Sequence, residues 1–309
     1  MSETTSPRPA SPFDGQAFDV ENALLMYAVS YATMPAEGIY EAEALEPLLP
    51  QIKDCHIYLV GLTPVVRTEA VVVEGGDMVT SHSVNGAIHD LRWPIPPGIE
   101  LKGDADQGWW GEDAGGRRCF PDDTTIALRI RQAAGVDFKV LYIGQAFGED
   151  GSRNALDRLR KHETLQKIAL KGVPEGYRLT LLMLAIQPGN STITVFNPRA
   201  ADRTQGQERI RNGLDKLFGT DEAERTTLYE AALIRYFQPH FNTVFKNSFP
   251  STNLKVLADC YDKDFAAVIA EISIDELPWT LFSDAAPHRL NHIAKFDLHD
   301  DKARRMFFT

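Results

Sequence analysis

The sequence predicts an α+β protein: a small antiparallel sheet flanked by helices in the middle of the chain, preceded by an N-terminal α/β accessory domain. Three observations lead there. Between residues 121 and 250, short apolar runs and helix-spaced ones follow in the order strand, strand, helix, strand, strand, helix, helix. A Gly/Pro/Asp-rich stretch, "WPIPPGIELKGDADQGWWGEDAGGRRCFPDD", sets that region off from what precedes it, with a boundary near residue 120. Charge divides at the same place: residues 1–120 carry a net −11, residues 121–250 a net +3 and residues 251–309 a net −3. The expected organisation is a flexible Ser/Thr/Pro tail (1–18), an acidic accessory or regulatory domain (19–120), a core domain (121–250) and a C-terminal extension packed on that core (251–309).

Taken in order, "VENALLMYAVSYAT" (20–33) reads as a helix, and "CHIYLVGL" and "RTEAVVVEG" as strands. "TTIALRIRQ" and "FKVLYIGQA", joined by "AAGVD", read as a hairpin. Ser152 is placed to cap a helix running to about Lys171 and stopping at Gly172. "YRLTLLMLAI" and "STITVF" are further strands, split by the turn "QPGN". Ile210, Leu214, Leu217 and Phe218 recur at helical spacing. "DEAERTTLYEAALIRYF" then opens with Asp221 and Glu224 in capping-box register and closes at Gln238-Pro239.

Composition narrows the function classes. At 43% hydrophobic and 24% charged residues the chain is a soluble globular type, so disorder is not expected. The longest apolar runs fall well short of the ~20 residues that a membrane helix needs. The N-terminus has no basic start followed by an apolar core, so it is expected to be no secretion signal. Three scattered cysteines without CxxC spacing suit a reducing cytoplasm and offer no zinc site. The acidic segment repels polyanions and is expected to meet a protein partner, a small ligand or, as a regulator, the chain's own basic groove. Residues 153–171, with six Lys/Arg against two acids, are where a polyanion could dock.

The residues that carry chemistry surround that basic stretch. Tyr142 ends a strand, and Gly144 permits close approach of backbone or phosphate. Arg158 and His162 stand four apart, on one side of a single predicted helix, with Arg153, Arg160 and Lys161 beside them. Glu230 is a lone acid in an apolar helical stripe, where it must lie at a surface edge, pair with a cation or bind a metal. Asn242 follows the helix-ending proline. Each has a plainer reading: a strand-end aromatic, a solvated helix face, a surface histidine, a salt bridge to Arg235, a structural turn amide. Together they are the parts for splitting a phosphodiester: a base for water, a cation for the extra charge and a hard ligand for a divalent ion.

"LYIG", then "RLRKH", then "EAALIRYFQPHFN" resembles the GIY-YIG nuclease domain across roughly residues 122–250. The resemblance implies a metal-dependent endonuclease that hydrolyses DNA phosphodiester bonds, RNA not being excluded, with restriction or phage defence as its setting. It implies Tyr142, Arg158 and His162 as catalytic residues, and Glu230 as the ligand of Mg²⁺ or Mn²⁺. Gly144, Arg153, Arg160, Lys161 and Asn242 are implied to face substrate phosphates. The family carries a Gly-Ile/Val-Tyr strand before the second tyrosine; "TTIALRI", in that place, has no tyrosine. The literal Gly38-Ile39-Tyr40 lies far upstream and is read as coincidence. The alternative from another class is a catalytically inactive binding or scaffold protein on the same fold.

Overall fold

The computed structural model describes residues 14–104, 108–119, 121, 123–134, 136–147, 155–250 and 254–305. In chain order the elements are β1 (Val20–Pro35), short helices α1 (Ala42–Leu45) and α2 (Leu49–Ile52), β2 (Ile57–Pro64), β3 (Arg67–Glu74), β4 (Asp77–Val84) and β5 (Ala87–Pro94). Next come β6 (Glu100–Asp104), β7 (Gly108–Glu112), β8 (Arg118–Cys119), α3 (Asp123–Ala134) and β9 (Asp137–Gln145). Helices α4 (Ala155–Leu159) and α5 (Glu163–Leu170) precede β10 (Tyr177–Ile186), β11 (Ser191–Phe196), α6 (Gly206–Gly219) and α7 (Glu222–Phe237). The chain closes with α8 (Lys255–Asp262), β12 (Ala267–Ser273), β13 (Thr280–Phe282) and β14 (Asn291–Asp297).

A small antiparallel sheet flanked by helices, with a separate N-terminal α/β domain, is not what forms. One large mixed sheet, curled into a half-barrel, runs β13-β9-β2-β10-β1-β12-β14, with β11 also paired to β1. Two three-stranded sheets, β3-β4-β5 and β6-β7-β8, accompany it. The large sheet takes β1 and β2 from the acidic segment, β9 and β10 from the middle, and β12 to β14 from the C-terminal one.

The expectation failed on β1 first. "VENALLMYAVSYAT" has the spacing of a helix, yet it is a sixteen-residue strand held on both edges. Its first half pairs with β11 on one side and β12 on the other, and its second half pairs with β10. A strand buried on both faces needs no apolar/polar alternation, so periodicity alone could not separate it from a helix. The expected hairpin is also absent. "TTIALRIRQ" forms α3, which buries Ile126 and Ile130 one turn apart. "QPGN" does not reverse the chain either: β10 and β11 run on in one line along β1, and the Gln187 side chain binds Tyr27 N–H and Leu25 C=O at the break.

Each face of the sheet carries its own core. Ile57, Leu59, Leu182 and Leu184 point to one side, where α3, α7 and α8 cover them. Tyr58, Val60, Leu181 and Met183 point to the other, beneath α4, α5 and the α1–α2 segment. This alternation along β2 and β10 places Tyr58 under the two helices that carry the basic residues. No helix among the described residues is long and apolar enough to cross a membrane.

Candidate active site

Tyr142 and its neighbours are held by the pairing of β9 with β2. The register sets Tyr58 opposite Gly144 and Val60 opposite Tyr142, so Tyr58, Gly144 and Tyr142 share one face. A Cβ on Gly144 would stand 2.5 Å from Tyr58 Oη and 2.6 Å from Cζ. The glycine therefore makes room for a tyrosine ring lying across the strand. The two rings sit 6.2 Å apart, tilted by 34°, and each acts on the ionisation of the other.

On the outer edge of β9, the segment after α7 substitutes for a missing strand. Asn242 Oδ1 accepts from Ile143 N–H at 2.9 Å, and its Nδ2 donates to Ile143 C=O at 2.8 Å. Phe241 N–H donates to Leu141 C=O. Both polar ends of the buried Asn242 amide are thus used to position the residue between Tyr142 and Gly144.

The basic segment differs from the single helix expected. Ser152 and Arg153 lie outside the described residues. The helix breaks after Leu159, and α5 begins at Glu163 with His162 as its N-cap, its Nδ1 accepting from Leu165 N–H at 3.3 Å. Arg158 and His162 are consequently not one turn apart on a common helix. His162 is buried with its ring 5.0 Å from Tyr142 and 5.6 Å from Tyr58. Burial, with the Arg158 charge second, lowers its pKa, so the ring is neutral at neutral pH. Because Nδ1 accepts the cap bond, the neutral ring carries its proton on Nε2. His162 is therefore arranged to donate at Nε2, and taking up a proton would break the cap.

Arg158 is exposed, and its guanidinium charge acts on Tyr58, Tyr142, His162 and Glu230. Arg160 turns elsewhere: its Nε donates to Ile39 C=O at 3.1 Å, and its own carbonyl accepts from Tyr40. Gly38-Ile39-Tyr40 belongs to a 3₁₀ turn, Ala36–Tyr40, and not to a strand. Lys161, like Lys167 and Lys171, is exposed.

Glu230 comes from α7, which starts at the Asp221 cap, with Asp221 Oδ1 accepting from Glu224 N–H at 2.8 Å, and ends with Gln238 in the left-handed region. From Thr226 to Ile234 only Thr227 is not buried, so the carboxyl is carried inside and is 9% exposed. One turn earlier, Thr227 pairs with the Gln145 side chain and fixes the helix against β9. Burial pushes the Glu230 carboxyl up to about 8, against the opposing pull of a Gln145 backbone hydrogen bond and the Arg158 charge. Burial likewise raises both tyrosines, Tyr58 the more.

A divalent ion fits this donor set in one respect and is unsupported in another. Mg²⁺ keeps most of its waters and binds through one or two carboxylates, and a buried carboxyl whose charge is so poorly compensated is one that a cation would ionise. Among the described residues, however, no group of three His, Cys, Asp or Glu side chains gathers as a cage. Glu230 is the residue that would hold such an ion, with water completing the shell.

Tyr142, Gly144, Arg158, His162, Glu230 and Asn242 are thus brought together, while Arg160 and Lys161 lie on the adjoining basic face. The residue that sequence reasoning missed is Tyr58. Its signal was present, since "HIY" opens a run already read as a strand, but six further strands and α3 separate it from Tyr142. Comparisons with protein-family models, with curated proteins and with solved structures returned no match.

Proposed function

We propose that this chain is a divalent-metal-dependent endonuclease of the GIY-YIG type, hydrolysing DNA phosphodiester bonds in the cytoplasm. One observation carries the reading: Tyr58, Tyr142, Arg158 and Glu230, from four separate elements, meet in a single electrostatically coupled group. The exposed cations of α4 and α5 lie next to it and suit a polyanion. Three free cysteines agree with a reducing compartment.

Arg158, at the solvent side of the group, donates to the phosphate oxygens and to the charge that accumulates on them in the transition state. A divalent ion at Glu230, when bound, supplies Lewis-acid polarisation of a phosphoryl oxygen and positive charge that offsets the carboxylate. Tyr142 Oη accepts the proton of the attacking water after giving up its own to solvent, a loss that burial opposes and the neighbouring Arg158 charge favours. Tyr58, lying beside Tyr142, steadies the phenolate that this requires. His162 holds the α5 end in place and presents a protonated Nε2. Asn242 acts on Tyr142 through the β9 backbone.

A second reading, a nucleic-acid-binding protein that does not turn over, is favoured by the carboxyl of Glu230 being mostly neutral near pH 7. Plasmid cleavage with Mg²⁺ or Mn²⁺ separates the two. The wild type nicks DNA, and Arg158→Ala or Tyr142→Phe loses roughly 10²–10³-fold, the worth of a transition-state charge contact. Activity unchanged in Arg158→Ala and Glu230→Ala refutes the hydrolytic site; binding without cleavage under every metal supports the second reading.

A further inference from the structure

α6 is turned the wrong way round for a surface helix. Its inner face, against β1, buries Arg209, Gly213 and Lys216. Those contacts are polar: Asn22 Nδ2 donates to Arg209 C=O, the two terminal nitrogens of Arg209 pair with Glu21 and Asp264 while its Nε is left buried without a partner, and Lys216 Nζ reaches Asp259 at 2.7 Å and Val256 C=O. Gly213 is needed there because a Cβ would stand 2.9 Å from Asn22 Oδ1. The outer face carries the apolar residues, with Ile210 40%, Leu214 50% and Phe218 82% exposed, and Phe196 of neighbouring β11 is 60% exposed. Spacing of four and four puts the three helix residues in one stripe. A helix that spends its polar residues inward and its apolar ones outward is shaped for a second contact.

We propose that this face is the contact between two copies of the chain, whose α6 helices pair antiparallel about a two-fold axis near Leu214. Two features select a second copy over another occupant. The first is charge. Arg211 and Asp215 lie on one flank of the stripe, symmetric about Gly213. A two-fold axis across antiparallel helices brings same-side flanks together, so Arg211 of each copy meets Asp215 of the other. The second is area. With about 150–250 Å² for an aromatic side chain, the four apolar residues expose roughly 400 Å². Two such faces at an apolar share of about 60% give an interface of roughly 1,300 Å², within the range of specific dimers. The proposal is independent of the hydrolytic reading.

Sedimentation velocity of the full chain from micromolar to hundred-micromolar concentration tests it. The wild type is a dimer in this range. The Leu214→Glu/Phe218→Glu double variant, which alters only exposed positions, keeps its circular-dichroism melt and weakens dimerisation by at least about 30-fold, the size of a single hot-spot loss. Arg211→Asp weakens it too, and Arg211→Asp/Asp215→Arg recovers it. Leu214→Cys under mild oxidation gives a covalent dimer through one symmetric disulfide. A wild type that stays monomeric, a Leu214→Glu/Phe218→Glu dimer as tight as wild type, or a charge swap that does not recover association each overturns the proposal.

Discussion

Replacing Glu230 by glutamine keeps the shape of the side chain and removes its titration, which isolates the cost of burying this carboxyl. The acid titrates near 4.5 when unfolded and is raised to about 8 in the fold. A raised pKa means that the folded state holds the proton more tightly. The contribution to stability is complete below pH ~4.5 and is lost as pH climbs to about 8. The slope is about 1.4 kcal/mol per pH unit for one proton. Over the full shift that amounts to about 5 kcal/mol, of which about 4 kcal/mol falls between pH 5 and pH 8. Urea unfolding of wild type and Glu230→Gln with chelator, at several pH values in that span, measures it. The wild-type stability drops relative to the variant by this amount, since other titrating groups cancel in the difference. Adding Mn²⁺ at pH 8 restores the wild type by about 2.7 kcal/mol at a hundredfold excess over its dissociation constant, and leaves the variant unchanged. Parallel pH curves for the two proteins refute the buried carboxyl; equal metal effects on both refute Glu230 as the ligand.

Three further outcomes follow from the same geometry. Asn242→Ala leaves the Ile143 N–H and C=O buried without partners and costs about 2–4 kcal/mol in urea unfolding; a loss below one-quarter of that shows that the β9 edge does not need the amide. Gly144→Ala drives a methyl into Tyr58, so it costs about 1–3 kcal/mol of overpacking, shifts the tyrosine near-ultraviolet circular dichroism and lowers cleavage; retained cleavage with a wild-type spectrum contradicts the packing described. His162 has a lowered pKa, so its cap is intact above the unfolded value of ~6.5 and is lost as pH falls below it. His162→Asn, which caps at any pH, removes that acid sensitivity, worth about 0.5–2 kcal/mol, in melts between pH 7 and pH 5; unaltered acid sensitivity in the variant tells against the cap.

Local signals made part of this site legible. Asp221, the apolar helix "LYEAALI" and Gln238-Pro239 delimit α7 within the chain itself, and that is enough to set Glu230 in an apolar stripe, though not to say whether it lies at a surface edge or inside. The cations between Arg158 and Lys171 are visible as a run, and the β-branched stretch before Gly144 as a strand. None of these depends on distant residues, because caps, helix spacing and charge density are properties of neighbours in sequence.

What the tertiary structure decided is pairing. Whether "VENALLMYAVSYAT" is helix or strand turns on β10, β11 and β12 standing along its edges, which no pattern within it encodes. Tyr58 became the companion of Tyr142 only when β2 and β9 came together across the segment inserted between them. Asn242, for which the resemblance implied a phosphate and the plainer reading a structural amide, has both ends of its amide bound to Ile143 at an open strand edge. The reversal of α6 is of the same kind: its spacing predicts a helix, but which side faces inward goes with Asn22, Glu21 and Asp259, polar partners on other elements that nothing within the helix encodes.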